Sequence, residues 1–341
     1  MAPTSVKPKS PNVERGSRPG RFTHIHLENW RNFKKVHVAL QDRVFLVGPN
    51  AAGKSNLLDA FRFLHDIASV GGGLQEAVAR RGGISRLRCL AARKPDVAVS
   101  VLMASWEGDE QWEYTVQFHQ DSARRLLLRK EVVARGGKVL LERPGLEDEG
   151  DPEKLTQTHL EQVAANKEFR EVAEFFQSIR YLHLVPQLVR EPDRFMGRRS
   201  DPYGSDLLEQ MGEMPQKKRE KNLRLIAGAL KAAVPQLDRL EWERDQKTGM
   251  PHLKGLYEHW RPGAGWQTEE QFSDGTLRLV GLLWSLLDGG GPLLLEEPEL
   301  SLHPAVVRLI PPIMARVQRQ NARQVLLSTH SSDLLLDEGI G

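Results

Sequence analysis

The chain has 341 residues, 40% of them hydrophobic and 27% charged, enough for one large domain or two ordinary ones around a sizeable core. No run of about eighteen apolar residues occurs to span a membrane, and the polar N-terminus lacks a hydrophobic h-region that would suggest export, so the expected compartment is the cytoplasm. Forty-eight basic and forty-five acidic residues leave a net charge of +3, which neither demands nor excludes nucleic acid, and the lone Cys89 excludes an internal disulfide.

Residues 1–21 are rich in proline, serine and basic side chains, with almost no large apolar ones, and read as a disordered basic tail. From Phe22, Thr23, Ile25 and Leu27 alternate with His24, His26 and Glu28, and Val36, Val38 and Leu40 alternate with Lys35, His37 and Ala39. Two amphipathic strands are therefore expected, joined by Asn29-Trp-Arg-Asn-Phe33. Val44-Phe-Leu-Val47 reads as a buried strand, and Leu57, Leu58, Phe61, Leu64 and Ala68 recur at helical spacing.

Between that strand and helix lies Gly48-Pro-Asn-Ala-Ala-Gly-Lys-Ser55, a full match to G-x-x-x-x-G-K-[ST]. A glycine loop between a strand and a helix aims backbone N–H groups and a helix N-terminus at a phosphate chain. Lys54 would reach the β- and γ-phosphates and the Ser55 hydroxyl would ligate Mg²⁺. Gly48, Pro49, Asn50, Ala51, Ala52, Gly53, Lys54 and Ser55, with Asn56 behind them, are thus the expected contacts to ATP and Mg²⁺.

Glycine runs at 71–73 and 82–83 break the chain, and four short strands follow around Val97–Val101, Trp112–Phe118, Leu126–Val133 and Lys138–Leu141. They predict an antiparallel meander with turns at Glu107–Asp109 and Gly136-Gly137, closed by a loop over 143–154. The first lobe is placed at 22–150. A helix is expected over 155–179, with Leu160, Val163, Phe169, Val172 and Phe176 as its buried stripe. After it come a core strand at Tyr181–Val185, an arginine-rich loop bearing Arg190, Arg194, Arg198 and Arg199, helices at 205–211 and 216–233, and strands at 237–243 and 252–258. Residues 151–265 therefore read as a helical and stranded insertion.

The last lobe, 266–341, opens with Phe272-Ser-Asp-Gly-Thr-Leu-Arg278 before a helix that buries Leu279, Leu282, Leu283 and Leu286. Leu293-Leu-Leu295 is a buried strand ending in Glu296-Glu-Pro-Glu299; a helix follows near Pro304, with an interruption or kink expected at Pro311-Pro312. Val325-Leu-Leu327 is another buried strand, ending in Ser328-Thr-His-Ser331. Glu296 would hold the Mg²⁺ shell, Glu297 would polarise the attacking water, and His330 would contact the γ-phosphate. All three stand at the carboxyl ends of strands, where open α/β sheets bind ligands.

Gly48–Ser55, Phe272–Arg278, Leu293–Glu299, Ser328–Ser331 and the opening Ile25–Phe33 together resemble the ABC-type ATPases of the SMC/RecF branch, over about residues 22–336. Within that branch the set is similar to stand-alone ATPases related to the ATPase part of OLD-family proteins. The resemblance implies an α/β P-loop ATPase head of ABC type: a mixed or parallel core sheet, an antiparallel β subdomain and a helical insertion. The four motifs become Walker A, signature, Walker B with its catalytic glutamate, and switch histidine. It further implies a head-to-tail homodimer, or a higher even oligomer, in which Ser273, Asp274 and Gly275 of one copy meet the ATP of the other. Arg31 and Asn32 become nucleotide contacts, and Gln187 becomes the Q-loop metal ligand, with Gln75 the alternative. Asp274 departs from a common glycine and Glu296 from a more usual aspartate. No heptad-bearing insertion predicts long coiled-coil arms. OLD-type proteins continue into a Toprim domain that this sequence lacks, so either it is part of a longer chain or any nuclease lies on another polypeptide.

Two functions compete on this reading. The first is an ATP-hydrolysing switch whose dimerisation controls a DNA-acting partner, such as a nuclease in DNA repair or antiphage defence. The alternative is a DNA-binding scaffold or clamp in which ATP is mainly structural, with Lys217, Lys218, Arg219, Lys221 and Arg224, or the arginine loop, on DNA phosphates.

Overall fold

A computed structural model describes residues 20–106, 110–191, 201–261, 265–321 and 323–336. The chain begins with β1 (Arg21–Trp30), β2 (Phe33–Ala39) and β3 (Arg43–Val47), then α1 (Lys54–Ala68) and the short α2 (Leu74–Ala79) and α3 (Ile84–Leu87). The meander follows as β4 (Val97–Ala104), β5 (Gln111–Gln120), β6 (Leu126–Arg135) and β7 (Lys138–Arg143). Next come α4 (Arg170–Gln177), β8 (Arg180–Leu182), α5 (Pro186–Arg190), α6 (Leu207–Glu213), α7 (Gln216–Leu230), β9 (Leu237–Arg244), β10 (Pro251–Tyr257) and β11 (Trp266–Thr268). The chain closes with α8 (Asp274–Asp288), β12 (Leu293–Glu296), α9 (Pro304–Val307), α10 (Ile310–Asn321) and β13 (Val325–Thr329).

These strands form an antiparallel sheet ordered β2-β1-β4-β5-β6-β7, a parallel sheet ordered β3-β13-β12-β8 and a small antiparallel sheet ordered β11-β10-β9. Side chains alternate across a strand, and the parallel sheet uses that alternation as a wall between two cores. Leu294 and Leu326 face the first core, with Phe61, Phe63, Trp30, Phe118 and Phe176. Leu293, Leu295, Val325 and Leu327 face the second, with Leu277, Val280, Leu283 and Trp284 of α8. The register of the wall positions the site, because Val47 lies opposite Thr329 and Glu296 opposite Ser328. The segments after β3, β12 and β13 therefore leave from one edge. No described helix is long and apolar enough to cross a membrane, and no long coiled coil is present among the described residues.

Several expectations change. Of the expected tail, residues 1–19 lie outside the described residues, but Arg21 already belongs to β1 and the Gly20 amide donates to Ala104 O at 2.9 Å. β3 is an edge strand rather than a buried one: Val44 and Leu46 lean on the first core, Phe45 on the second, and Val47 is 55% exposed. The turn expected at 107–109 is outside the described residues, whereas Gly136 and Gly137 make the second turn with φ of 54° and 80°.

The single helix expected over 155–179 is reduced to α4 after two short 3-10 turns, and Val163 is 73% exposed. Side chains capture its backbone instead. Glu131 accepts the His159 and Leu160 amides at 2.7 and 3.1 Å, Glu161 accepts the Thr158 amide at 3.2 Å, and Asn166 donates to Leu160 O at 3.0 Å. β8 ends at Leu182 because the His183 and Val185 amides turn to Pro202 O and Tyr203 O. At Pro311 and Pro312 the helical run is interrupted rather than kinked: α9 ends at Val307, and the prolines stand in the first turn of α10, where a missing N–H leaves no helix bond broken. β11, beyond the expected division at 265, completes the sheet of β9 and β10.

Candidate functional site

The Gly48–Ser55 loop is set by its backbone. Ala51 has φ 63° and Gly53, the N-cap of α1, has φ 105°. A Cβ on Gly53 would lie 2.5 Å from Asn32 Nδ2 and 2.7 Å from Phe33 Cζ, so conformation and close approach both require glycine. Asn32 and Asn56 brace the loop from behind. Asn32 Nδ2 donates to Ala52 O at 3.2 Å, Asn56 Nδ2 donates to Asn32 Oδ1 at 2.8 Å, and Trp30 Nε1 donates to Asn56 O at 2.8 Å. Arg31 pairs with Asp59 at 3.0 Å, on the side of α1 that Arg81 also holds.

Lys54 Nζ donates to Gly48 O at 2.9 Å and Pro49 O at 3.1 Å and lies 3.5 Å from His330 Nδ1. His330 Nε2 is 3.0 Å from Glu297 Oε1, so one imidazole links the loop lysine to the second glutamate. Glu297 adopts φ 45°, and its amide donates to Ser328 O at 3.0 Å. That sharp turn at the end of β12 sends successive carboxylates in different directions. Glu296 receives hydroxyl hydrogen bonds on both oxygens, from Ser55 on Oε1 and Tyr181 on Oε2. Burial, then the adjoining Glu296, pushes the Tyr181 hydroxyl well above the usual tyrosine range, so it stays protonated as a donor. Glu299 accepts from Thr329 Oγ1 at 2.5 Å and the His330 amide at 3.0 Å, fixing the His330 backbone.

Among the described residues no three histidine, cysteine or acidic side chains converge into a self-sufficient metal cage. Mg²⁺ does not need one, since it binds through one or two carboxylates together with phosphates and water. The juxtaposed Ser55 hydroxyl and Glu296 carboxylate are a donor set of that kind.

The second motif lies elsewhere. Ser273 caps α8, its Oγ accepting from the Thr276 amide at 3.1 Å, and Gly275 packs under Leu302, whose Cδ2 would be 3.3 Å from an added Cβ. Asp274 bonds Gln187 at 3.5 Å and Arg190 at 2.7 Å. None of these hydrogen bonds reaches the Gly48–Ser55 loop. Gln187 thus meets Asp274 rather than the Ser55–Glu296 pair, and Gln75, the alternative, is tied to Leu126 O and Thr156 O.

The expected basic surface is divided. Arg219 is turned onto the carbonyls of Met211, Gly212 and Met214 and covers the Trp242 ring at 4.3 Å, and Lys218 donates to Asp288 O. Lys217, Lys221 and Arg224 remain exposed; Arg194, Arg198 and Arg199 lie outside the described residues. Sequence reasoning missed Tyr181 and Glu299 as site residues, and Arg190, expected on DNA phosphates, instead pairs with Asp274. Only β8 lying beside β12 in the parallel sheet reveals Tyr181, which β-strand periodicity marks merely as core.

The sequence model of the family described as "AAA domain, putative AbiEii toxin, Type IV TA system" matches residues 43–337. Among curated proteins, endonuclease GajA of Bacillus cereus (strain VD045) is 44% identical over 46 residues, covering 14% of this chain and 8% of GajA. The chain thus aligns with a small part of that protein's length. Among solved structures, the Smc head bound to the C-winged helix domain of ScpA gives a TM-score of 0.54 at 15% identity, covering 92% of this chain and 91% of that one. The Smc head with an extended coiled coil, bound to the C-terminal domain of ScpA derived from Pyrococcus furiosus, gives 0.51 at 13% identity, covering 92% and 90%. Such likeness establishes the fold.

Proposed function

From the premise that the chain belongs to this AAA domain family and is a P-loop ATPase of the SMC and OLD type, we propose that ATP closes two copies head to tail and that hydrolysis at Glu297 releases them. The observation that carries the reading is the separation of the two motifs within one chain: the loop meets Glu296, Glu297 and His330, while Ser273 and Asp274 bond only on their own side. A second copy supplies the missing half. The cap of α8 and its first-turn amides then face the terminal phosphate, where a helix N-terminus favours an anion.

The residues divide the work. Lys54 exchanges the carbonyls of Gly48 and Pro49 for phosphate oxygens. Ser55 and Glu296 would hold Mg²⁺, which when bound neutralises charge on the β- and γ-phosphates. Tyr181 keeps the Glu296 carboxylate in one orientation. Glu297 accepts a proton from the attacking water, and His330, donating from Nε2, orients it.

Opening and closing of such a pair controls a DNA-acting partner; a nuclease fits best, because the curated relative is an endonuclease. ATP must prefer the closed pair for this to work, since a ligand shifts only the equilibrium it discriminates. ATP turnover tests the chemistry. Lys54→Ala should abolish nucleotide binding, and Glu297→Gln should retain it while turnover drops about 10²- to 10³-fold. Normal turnover in Glu297→Gln would remove Glu297 from the mechanism.

A further inference from the structure

Resting on the head-to-tail reading above, we infer that Arg190 is a positioning residue for the signature turn: by pairing with Asp274 it cancels a carboxylate that would otherwise repel the terminal phosphate of ATP held by the other copy. Asp274 stands in the first turn of α8, with 41% of its side chain exposed, at the end of the helix that should welcome an anion. Its own charge opposes that use. Two like unit charges about 6 Å apart in an effective dielectric of about 20 disfavour association by roughly a hundredfold.

Arg190 answers this charge directly. Its Nη2 lies 2.7 Å from Asp274 Oδ1 and 2.7 Å from Phe272 O, bridging the carboxylate to the backbone just before the cap. The Gln187 amide approaches the other carboxylate oxygen, Oδ2, at 3.5 Å, so both oxygens face donors from α5. The Arg190 side chain is only 21% exposed, and its Nε is buried without a hydrogen-bond partner. A largely buried arginine whose Nε–H is unused is a poor design for surface solubility. It suits a group held in place to set a charge.

The segment leading into α5 is bonded to the Glu296 side of the nucleotide site. Nine residues or fewer before α5 ends, Tyr181 donates to the Glu296 carboxylate and His183 Nδ1 to Glu296 O at 3.2 Å, while Arg278 of α8 donates to Leu184 O at 2.6 Å. The segment 181–190 therefore spans from the Glu296 side of one ATP site to the turn that serves the other.

The test is ATP-dependent self-association by sedimentation velocity, with every variant made in the Glu297→Gln background so that ATP is retained. Arg190→Ala should weaken ATP-dependent pairing about tenfold or more. Asp274→Asn should pair at least as well as its parent, and the double variant Arg190→Ala/Asp274→Asn should recover to within a few-fold of the parent, because the offending charge is gone. Binding of a fluorescent ATP analogue to the Gly48–Ser55 loop checks that each variant is folded. Undiminished pairing of Arg190→Ala, or a double variant as weak as Arg190→Ala, overturns the inference. A parent that never pairs with ATP removes the head-to-tail reading instead.

Discussion

Gly53 joins the sequence motif to its physical cause, because its φ of 105° and the 2.5 Å approach of Asn32 Nδ2 leave no room for a Cβ. Gly53→Ala should lower stability by about 1–3 kcal/mol in thermal melting and weaken ATP binding, because the loop must shift off Asn32. The motif was legible for that reason: Gly53 answers a backbone demand that local sequence can state. Tyr181 was not, since its role arises from a partner 115 residues away across a strand pairing. Tyr181→Phe should reduce turnover several-fold with ATP affinity nearly unchanged, as measured by steady-state kinetics and equilibrium binding, because Glu296 keeps its Ser55 contact but loses its second donor. His65 is a different case, a half-buried imidazole that donates from Nδ1 to Phe176 O at 3.1 Å and whose pKa burial lowers from the ordinary 6.5. The unfolded chain therefore takes up the proton first, so this contribution to stability is complete above about pH 6.5 and is lost as the pH falls toward the folded value. Replacing His65 with glutamine should flatten that limb of a melting-temperature profile against pH.

At the scale of elements, alternation made the β4–β7 meander and the β1–β2 hairpin readable, most clearly in β5, where Trp112, Tyr114, Val116 and Phe118 are buried while Gln111 and Glu113 are exposed. Residues 155–169 misled for the opposite reason. Their apolar spacing suits a helix, but Glu131, far back in β6, takes two of the amides that a helix would need. Glu131 is fully buried, and burial raises its pKa against the lowering effect of those amides and of Arg143. Removing it leaves Arg143 without one of its two carboxylates, the other being Asp148, and strands the amides of His159 and Leu160. Glu131→Ala should therefore cost about 3–5 kcal/mol in urea unfolding. A loss below about 1 kcal/mol would show that this network does not fasten the segment.

For the whole molecule, two cores share one parallel sheet, and the nucleotide loop, Glu296, Glu297 and His330 emerge along a single edge of that wall. The order of motifs along the chain made this edge readable in advance. The separation of Ser273–Gly275 from the loop was not readable from spacing, because it depends on how the segment after β8 bonds to α8. On the proposed head-to-tail reading, the loop is one half of an ATP site and pairing completes it. The most direct measurement is the solution mass of Glu297→Gln by sedimentation equilibrium, with and without ATP and Mg²⁺. The expected result is one chain of 38.5 kDa without nucleotide and twice that mass with it, the doubling being abolished by Ser273→Arg. A mass that stays at one chain under saturating ATP, or doubles equally without it, would contradict the account.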